Sequence, residues 1–235
     1  MSTTRYAIYY APDAHEDLHR FGSSVLGYDA HAGATCAQLC PTNIEPSQWA
    51  SLTAEPRRYG FHATLRAPFR LRDGVSERDV LAAADEAAAV CRPFDLHLQI
   101  EARNGFVALV PTAVPRELSN LEAQCVAALE PVRAPLNEAE LARRLAAPLT
   151  ARQTDYLKTY GYPYVRDEFR FHMTLTGQLP EGLQADVLLF LRQAFAAQVG
   201  AKFQHIASVQ VFRQSAPDVP FQIIHAAKLF KIPTD

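Results

Sequence analysis

An α+β fold built by internal duplication is the class this sequence predicts: two lobes related by a pseudo-two-fold axis, each an antiparallel sheet flanked by helices. Three observations predict it. The pattern Phe-His-x-Thr-Leu is written twice, at Phe61–Leu65 and again at Phe171–Leu175. Each copy is followed by a helical pattern and then by a pair of strand patterns. The strands are joined by hairpins or single helices, an arrangement that favours antiparallel sheets. The 235 residues are read as one bilobal domain over 1–235. Its approximate lobes are 1–113 and 114–235, with a boundary near Pro111–Pro115 and strands free to cross between lobes.

The elements follow in order. Arg5–Ala11 is rich in aromatic and β-branched residues and reads as a strand. Asp13–Gly27 is an amphipathic helix that stops at its glycine. An irregular stretch runs to about Glu55, with a helical turn at Pro46–Leu52, and leads into the first motif. Ser76–Cys91 has Ser76 to cap it, Asp79 in its first turn and an alanine-rich body, so it is a helix. Phe94–Thr112 alternates apolar and polar residues and turns at Arg103-Asn104-Gly105, a hairpin signature. Pro115–Val132 and Asn137–Ala146 carry 3.6-residue apolar stripes, and Thr150–Gly161 is a shorter helix. After the second motif come a helix over Glu181–Gly200 and two strands, Lys202–Gln214 and Pro220–Ile232, joined by a proline-bearing loop.

Composition narrows the function classes. Hydrophobic residues make up 49% and charged residues 20%, ordinary for a soluble globular protein. A formal net charge of -2 argues against a general affinity for long nucleic acid, which needs an extended basic surface, while leaving room for a local phosphate pocket. The N-terminus has no signal-peptide core, and no window approaches the roughly 18 uninterrupted apolar residues of a membrane span. Cys36, Cys40, Cys91 and Cys125 lack a second pair at zinc spacing and read as reduced thiols of a cytoplasmic protein.

In a strand, alternate side chains share a face. His62 and Thr64 therefore point one way, about 7 Å apart, while Phe61, Ala63 and Leu65 point into a core. His172 and Thr174 repeat the split against Phe171, Met173 and Leu175. Packing explains the apolar face of both copies. It does not explain why the opposite face keeps histidine and threonine twice, and that choice points to chemistry. Extending the alternation adds Gly60 and Arg66 to the first polar face, and Arg170 and Thr176 to the second; Arg66 and Arg170 are the expected phosphate contacts. Tyr6, Tyr9, Tyr59 and Tyr164 are candidates to stack a base or sugar, with core packing an equal reading for each. Arg70 and Arg72 are expected in solvent. His15 and His19, four apart, are expected on a solvated helix face, and His97, His205 and His225 on open sheet faces.

Two H-x-T motifs about a hundred residues apart in a duplicated α+β chain resemble the two-histidine (2H) phosphoesterase superfamily, which includes RNA 2′,5′ ligase-like proteins and cyclic nucleotide phosphodiesterases. "RYGFHATLRAPFRL" and "RFHMTLTGQL" are most similar to a bacterial family associated with phosphonate metabolism. The resemblance implies two motif strands facing one central cleft. It makes His62 and His172 the catalytic pair, with Thr64 and Thr174 as phosphate ligands, and implies no metal and no cofactor. The physics agrees: hydrolysis of a cyclic phosphodiester needs one group to take a proton from water and another to protonate the leaving alkoxide, and an imidazole suits either role. The expected partner is a small phosphorylated metabolite or nucleotide, not long nucleic acid or membrane. The alternatives are an RNA-end 2′,3′-cyclic phosphodiesterase and a non-catalytic nucleotide or phosphate-metabolite binding module.

Overall fold

A computed structural model of the chain describes residues 3–200 and 203–230. The chain runs through β1 (Arg5–Tyr10), α1 (Asp17–Leu26), a small hairpin of β2 (Tyr28–Asp29) and β3 (Ala34–Thr35), the short helices α2 (Pro46–Leu52) and α3 (Ala54–Arg57), β4 (Ala63–Phe69) and α4 (Glu77–Ala89). It continues through β5 (Phe94–Arg103), β6 (Phe106–Pro111), α5 (Arg116–Leu129), α6 (Glu138–Leu145), α7 (Ala151–Tyr160), β7 (Met173–Thr174), α8 (Gln184–Gln198), β8 (Phe203–Ile206), β9 (Ser208–Gln214) and β10 (Gln222–Lys228). The fold is α+β.

Local chemistry sets the ends of these elements. Gly27 closes α1 at φ 72°, its N–H on the Ser23 carbonyl. The Asp79 carboxylate accepts from the Ser76 N–H (2.8 Å) and hydroxyl (2.7 Å) and so opens α4. Asn104 (φ 46°) and Gly105 (φ 88°) supply the left-handed pair that turns β5 into β6. Among the described residues, no helix is long and apolar enough to cross a membrane.

Eight strands form one sheet in the order β10-β9-β1-β4-β7-β6-β5-β8, and every pairing is antiparallel. The two motif strands meet at its centre, where β4 pairs β7 through Ala63 and Met173. Each is flanked by a three-stranded group: β1, β9 and β10 beside β4, and β6, β5 and β8 beside β7. A cut at 113/114 therefore does not divide the sheet into its halves, because the N-terminal β1 and β4 lie with the C-terminal β9 and β10. The stretch expected as one strand over Lys202–Gln214 is broken at Ala207 into β8 and β9, which pair with β5 and with β1 and β10. Those partners lie towards opposite ends of the strand order. A single linking residue can span them only if the sheet curls. Lys202, Lys231 and Ile232, at the expected strand ends, lie outside the described residues.

β1 shows how the sheet separates core from site. Tyr6, Ile8 and Tyr10 belong to the main core; Ala7, Tyr9 and Ala11 belong to a smaller cluster on the other face, with Phe212 and Phe221. Phe61, Ala63, Leu65, Phe171, Met173 and Leu175 all lie in the main core. Phe61 lies so close over Gly22 that a Cβ there would stand 2.1 Å from its ring. His19, expected in solvent, is buried, with Nε2 3.2 Å from Asp29. His97, His205 and His225 lie on the outer strands, the last two paired with Asp95 and Asp85.

Candidate active site

The single pairing Ala63–Met173 fixes the register of the two motifs. In an antiparallel pair, stepping one residue up one strand means stepping one down the other. Thr64 therefore comes opposite His172, and His62 opposite Thr174. All four are half-buried, on the face away from the core, and line one cavity of about 600 Å³. That volume lies in the range of small-molecule sites, roughly 300–1,000 Å³.

Each imidazole is held in the same way. His62 Nδ1 is 2.9 Å from the carbonyl oxygen of Gly60, and His172 Nδ1 is 2.7 Å from that of Arg170. A carbonyl only accepts, so each Nδ1 carries the hydrogen and each Nε2 is left for the cavity. In the first copy Nε2 sits 3.3 Å from the Thr64 hydroxyl. Gly60 reaches this position at φ 73°, where a Cβ would stand 2.7 Å from that of Ala30.

The surroundings of the two rings differ. His62 stacks on Tyr9 at 3.8 Å between ring centroids and 26° between planes, with Tyr59 at 6.0 Å and Phe212 at 6.2 Å. His172 has Phe106 at 6.1 Å. Burial pushes the His62 imidazole down to about 4; the Gly60 carbonyl opposes this and His172 adds to it.

Of the residues expected at the site, His62, His172, Thr64, Thr174, Tyr59, Tyr9 and Tyr164 line the cavity, and Arg66, Arg170 and Tyr6 do not. Tyr6 is on the core face of β1, its hydroxyl 3.0 Å from Glu77. Arg66 is displaced by a bulge. Tyr9 pairs with Thr64, but the next residue back, Ile8, pairs with Arg66, so β4 carries one extra residue there. The extra residue, Leu65, resets the alternation and turns Arg66 under the sheet, 1% exposed and 2.6 Å from Glu130. Arg170 is exposed and donates to the carbonyls of Asp167 and Phe169. Its backbone carbonyl, not its guanidinium, serves His172. Thr176, expected on the second polar face, does line the cavity, but it is buried and its hydroxyl is engaged, accepting from the Val107 N–H and donating to the Gly177 carbonyl. Arg70 and Arg72, expected in solvent, are tied to Glu140 and to the Arg133 carbonyl.

The cavity also holds groups not anticipated: Arg5, Arg143, Arg144, Phe106 and Tyr162. Arg5 shares the face of Tyr9 by simple alternation along β1, a signal present in the sequence. Arg143 and Arg144 arrive on α6, and nothing in the local pattern places that helix over the sheet. Among the described residues, no group of three or more His, Cys, Asp or Glu side chains is arranged to hold a metal ion.

A family model described as "Protein of unknown function (DUF1045)" matches residues 64–222. A protein of Janthinobacterium sp. (strain Marseille), named ribose 1,5-bisphosphate phosphokinase PhnN, is 39% identical over 225 residues, 94% of this chain and 49% of that protein. A protein of the same name from Laribacter hongkongensis (strain HLHK9) is 34% identical over 93% of this chain and 50% of its own length. The chain thus spans about half the length of the curated relatives it matches. The crystal structure of E. coli LigT complexed with 3′-AMP is similar at a TM-score of 0.46 and 11% identity, over 98% of this chain and 100% of that one.

Proposed function

The chain belongs to the DUF1045 family, and for it we propose a phosphoesterase that hydrolyses a small cyclic phosphate or phosphodiester by paired histidine acid–base catalysis. The observation that carries this reading is the matched pair of imidazoles. Both give Nδ1–H to the carbonyl two residues back, and so both offer Nε2 to one cavity. A binding module has no need of two titratable groups so oriented.

His62, kept neutral by its burial, is the base: its Nε2 takes a proton from water as the water oxygen attacks phosphorus. His172, in the more open half, gives a proton from Nε2 to the alkoxide as the phosphorus–oxygen bond breaks. The product is a phosphomonoester, and proton exchange with solvent restores both rings. Thr64 and Thr174 donate their hydroxyls to the non-bridging oxygens and hold phosphorus in line with the water. Tyr59 and Tyr9 wall the site on the His62 side.

The name that the two relatives share, ribose 1,5-bisphosphate phosphokinase, supports a phosphorylated sugar as the substrate class, in keeping with the phosphonate-metabolism family that the motifs resemble. An RNA end needs an extended basic groove that tracks several successive phosphates; the arginines Arg5, Arg143 and Arg144 gather instead at one wall of the cavity.

The test is turnover, in the presence of EDTA, of a panel of sugar cyclic phosphates and of 2′,3′- and 3′,5′-cyclic nucleotides by the wild type, His62→Ala and His172→Ala. Turnover of at least one compound by the wild type, lost in both variants, is expected. Wild-type rates in both variants contradict the mechanism; tight nucleotide binding with no turnover of any compound favours the binding module.

A further inference from the structure

The cavity has a second charged wall that the hydrolytic step does not use. Arg5, Arg143 and Arg144 line it, against Glu55 as the one lining carboxylate among the described residues. The same three arginines line the adjoining cleft that leads towards Arg133 and Glu140. None of them forms an ion pair with a carboxylate among the described residues. Glu140, the nearest candidate, is taken by Arg70 through both oxygens, at 2.5 and 2.8 Å. Arg5 is steadied by neutral partners: Nε donates to the Gln214 side-chain oxygen at 2.8 Å, and the guanidinium lies over Phe221 at 5.4 Å. Arg144 donates to the Gly161 carbonyl at 2.6 Å. The Arg143 guanidinium has no hydrogen-bond partner among the described residues. The three lie close enough to repel. Burial holds the Arg144 guanidinium below its ordinary value, Glu140 opposes this, and Arg143 and Arg5 add to it.

Like charges gathered without counter-charge cost stability unless an anion completes the set. Where arginines are gathered elsewhere in the described fold a carboxylate sits between them: Glu130 takes both Arg66 and Arg133. We propose that Arg5, Arg143 and Arg144 form a second anion subsite, which takes a phosphomonoester on the same small substrate whose cyclic phosphate lies between the histidines. Along β1, Arg5 is four residues from Tyr9, the partner of Thr64, which is roughly 13 Å at strand rise. Arginine side chains span part of that distance. What remains fits two phosphates separated by a sugar ring. The substrate class is a sugar cyclic phosphate carrying a further phosphate, and the subsite selects for it through substrate binding. Naming the ligand as substrate rests on the hydrolytic reading; the anion subsite itself does not.

The experiment uses paired probes: a ribose cyclic phosphate with and without a 5-phosphate, and a 2′,3′-cyclic nucleotide with and without a 5′-phosphate. For the wild type, kcat/KM is expected to favour the phosphorylated member about 10- to 100-fold, the scale of charge-assisted hydrogen bonds. In Arg143→Gln and Arg144→Gln that preference falls at least about tenfold, mostly through KM, and Arg143→Lys retains part of it. Calorimetry with the ring-opened products runs in parallel, since a bisphosphate should outbind the matching monophosphate whether or not anything is turned over. If no probe is hydrolysed but the bisphosphate binds tighter and Arg143→Gln removes the difference, the subsite stands and the hydrolytic reading falls. If the phosphorylated and plain probes are hydrolysed equally, or the two products bind equally, or the variants weaken both members of each pair alike, the subsite is wrong.

Discussion

The first motif copy enters the seven-residue strand β4, paired with β1 along its length; the second enters the two-residue strand β7, beside β6. Both copies tether their histidine through the carbonyl two residues earlier. That carbonyl belongs to Gly60 in one and Arg170 in the other; the first is presented from a left-handed backbone that excludes a Cβ, the second from a residue that carries a full side chain. The environments then diverge. His62 is pressed between Tyr9 and Thr64, among aromatic rings, while His172 has one tilted phenylalanine near it. The two copies thus present equivalently tethered imidazoles in unequal packing. On the proposed mechanism, that difference assigns the base to His62 and the acid to His172.

The comparison can be broken at several points, the largest effect coming first. His62→Ala and His172→Ala should each lower kcat/KM by about 10²- to 10⁴-fold, the usual yield of general acid–base catalysis. A near-normal rate in only one of them would mean that one copy has become a scaffold. Thr64→Val and Thr174→Val should each cost about 10- to 100-fold, because each removes a hydroxyl that donates to a charged phosphate oxygen; steady-state kinetics with the same substrate checks this.

The asymmetry itself is sharpened by pH. Unfolded, His62 takes its proton near 6.5; folded, near about 4. Between those values the unfolded chain binds more protons, so His62 makes stability fall as pH drops from 6.5 towards 4. Activity that needs the neutral ring should be lost as pH falls through about 4. Tyr9→Leu opens one face of the ring to water, and should move the acid limb of the rate profile and the NMR titration of His62 upward together. An unmoved titration would show that Tyr9 does not keep the ring dry.

The smallest effects test the tethers. Gly60→Ala places a Cβ at φ 73°, 2.7 Å from Ala30, and should destabilise by about 1–2 kcal/mol in denaturant unfolding. Arg170→Ala keeps the carbonyl that His172 uses, and should leave turnover within about threefold. A large loss there would restore the guanidinium to the site.

Much of this arrangement was legible in the sequence because strand periodicity is a strong constraint. Alternation alone put His62, Thr64, His172 and Thr174 opposite a packed face, and the turn residues Asn104-Gly105 and the cap Ser76 marked their elements. What escaped was long-range or irregular. The bulge at Leu65 turns Arg66 inward, and bulges leave no clear local signal when the inserted residue is apolar. The break at Ala207 depends on how the sheet curls, which only the assembled strands decide. Arg143 and Arg144 come from a helix whose own stripe says nothing of what it covers. His19 was misplaced because its partner, Asp29, lies on the next element.

The central claim is that two histidines from the two copies act on one phosphate. Nitrogen-15 NMR of labelled histidines, titrated with the phosphomonoester product of the best substrate, tests it most directly. The account predicts that the Nε2 signals of His62 and His172 move together with one common dissociation constant. Both Nδ1 nitrogens should stay protonated throughout, and His19 and His31 should not respond. Saturable binding that moves only one of the two Nε2 signals, or neither, would contradict it.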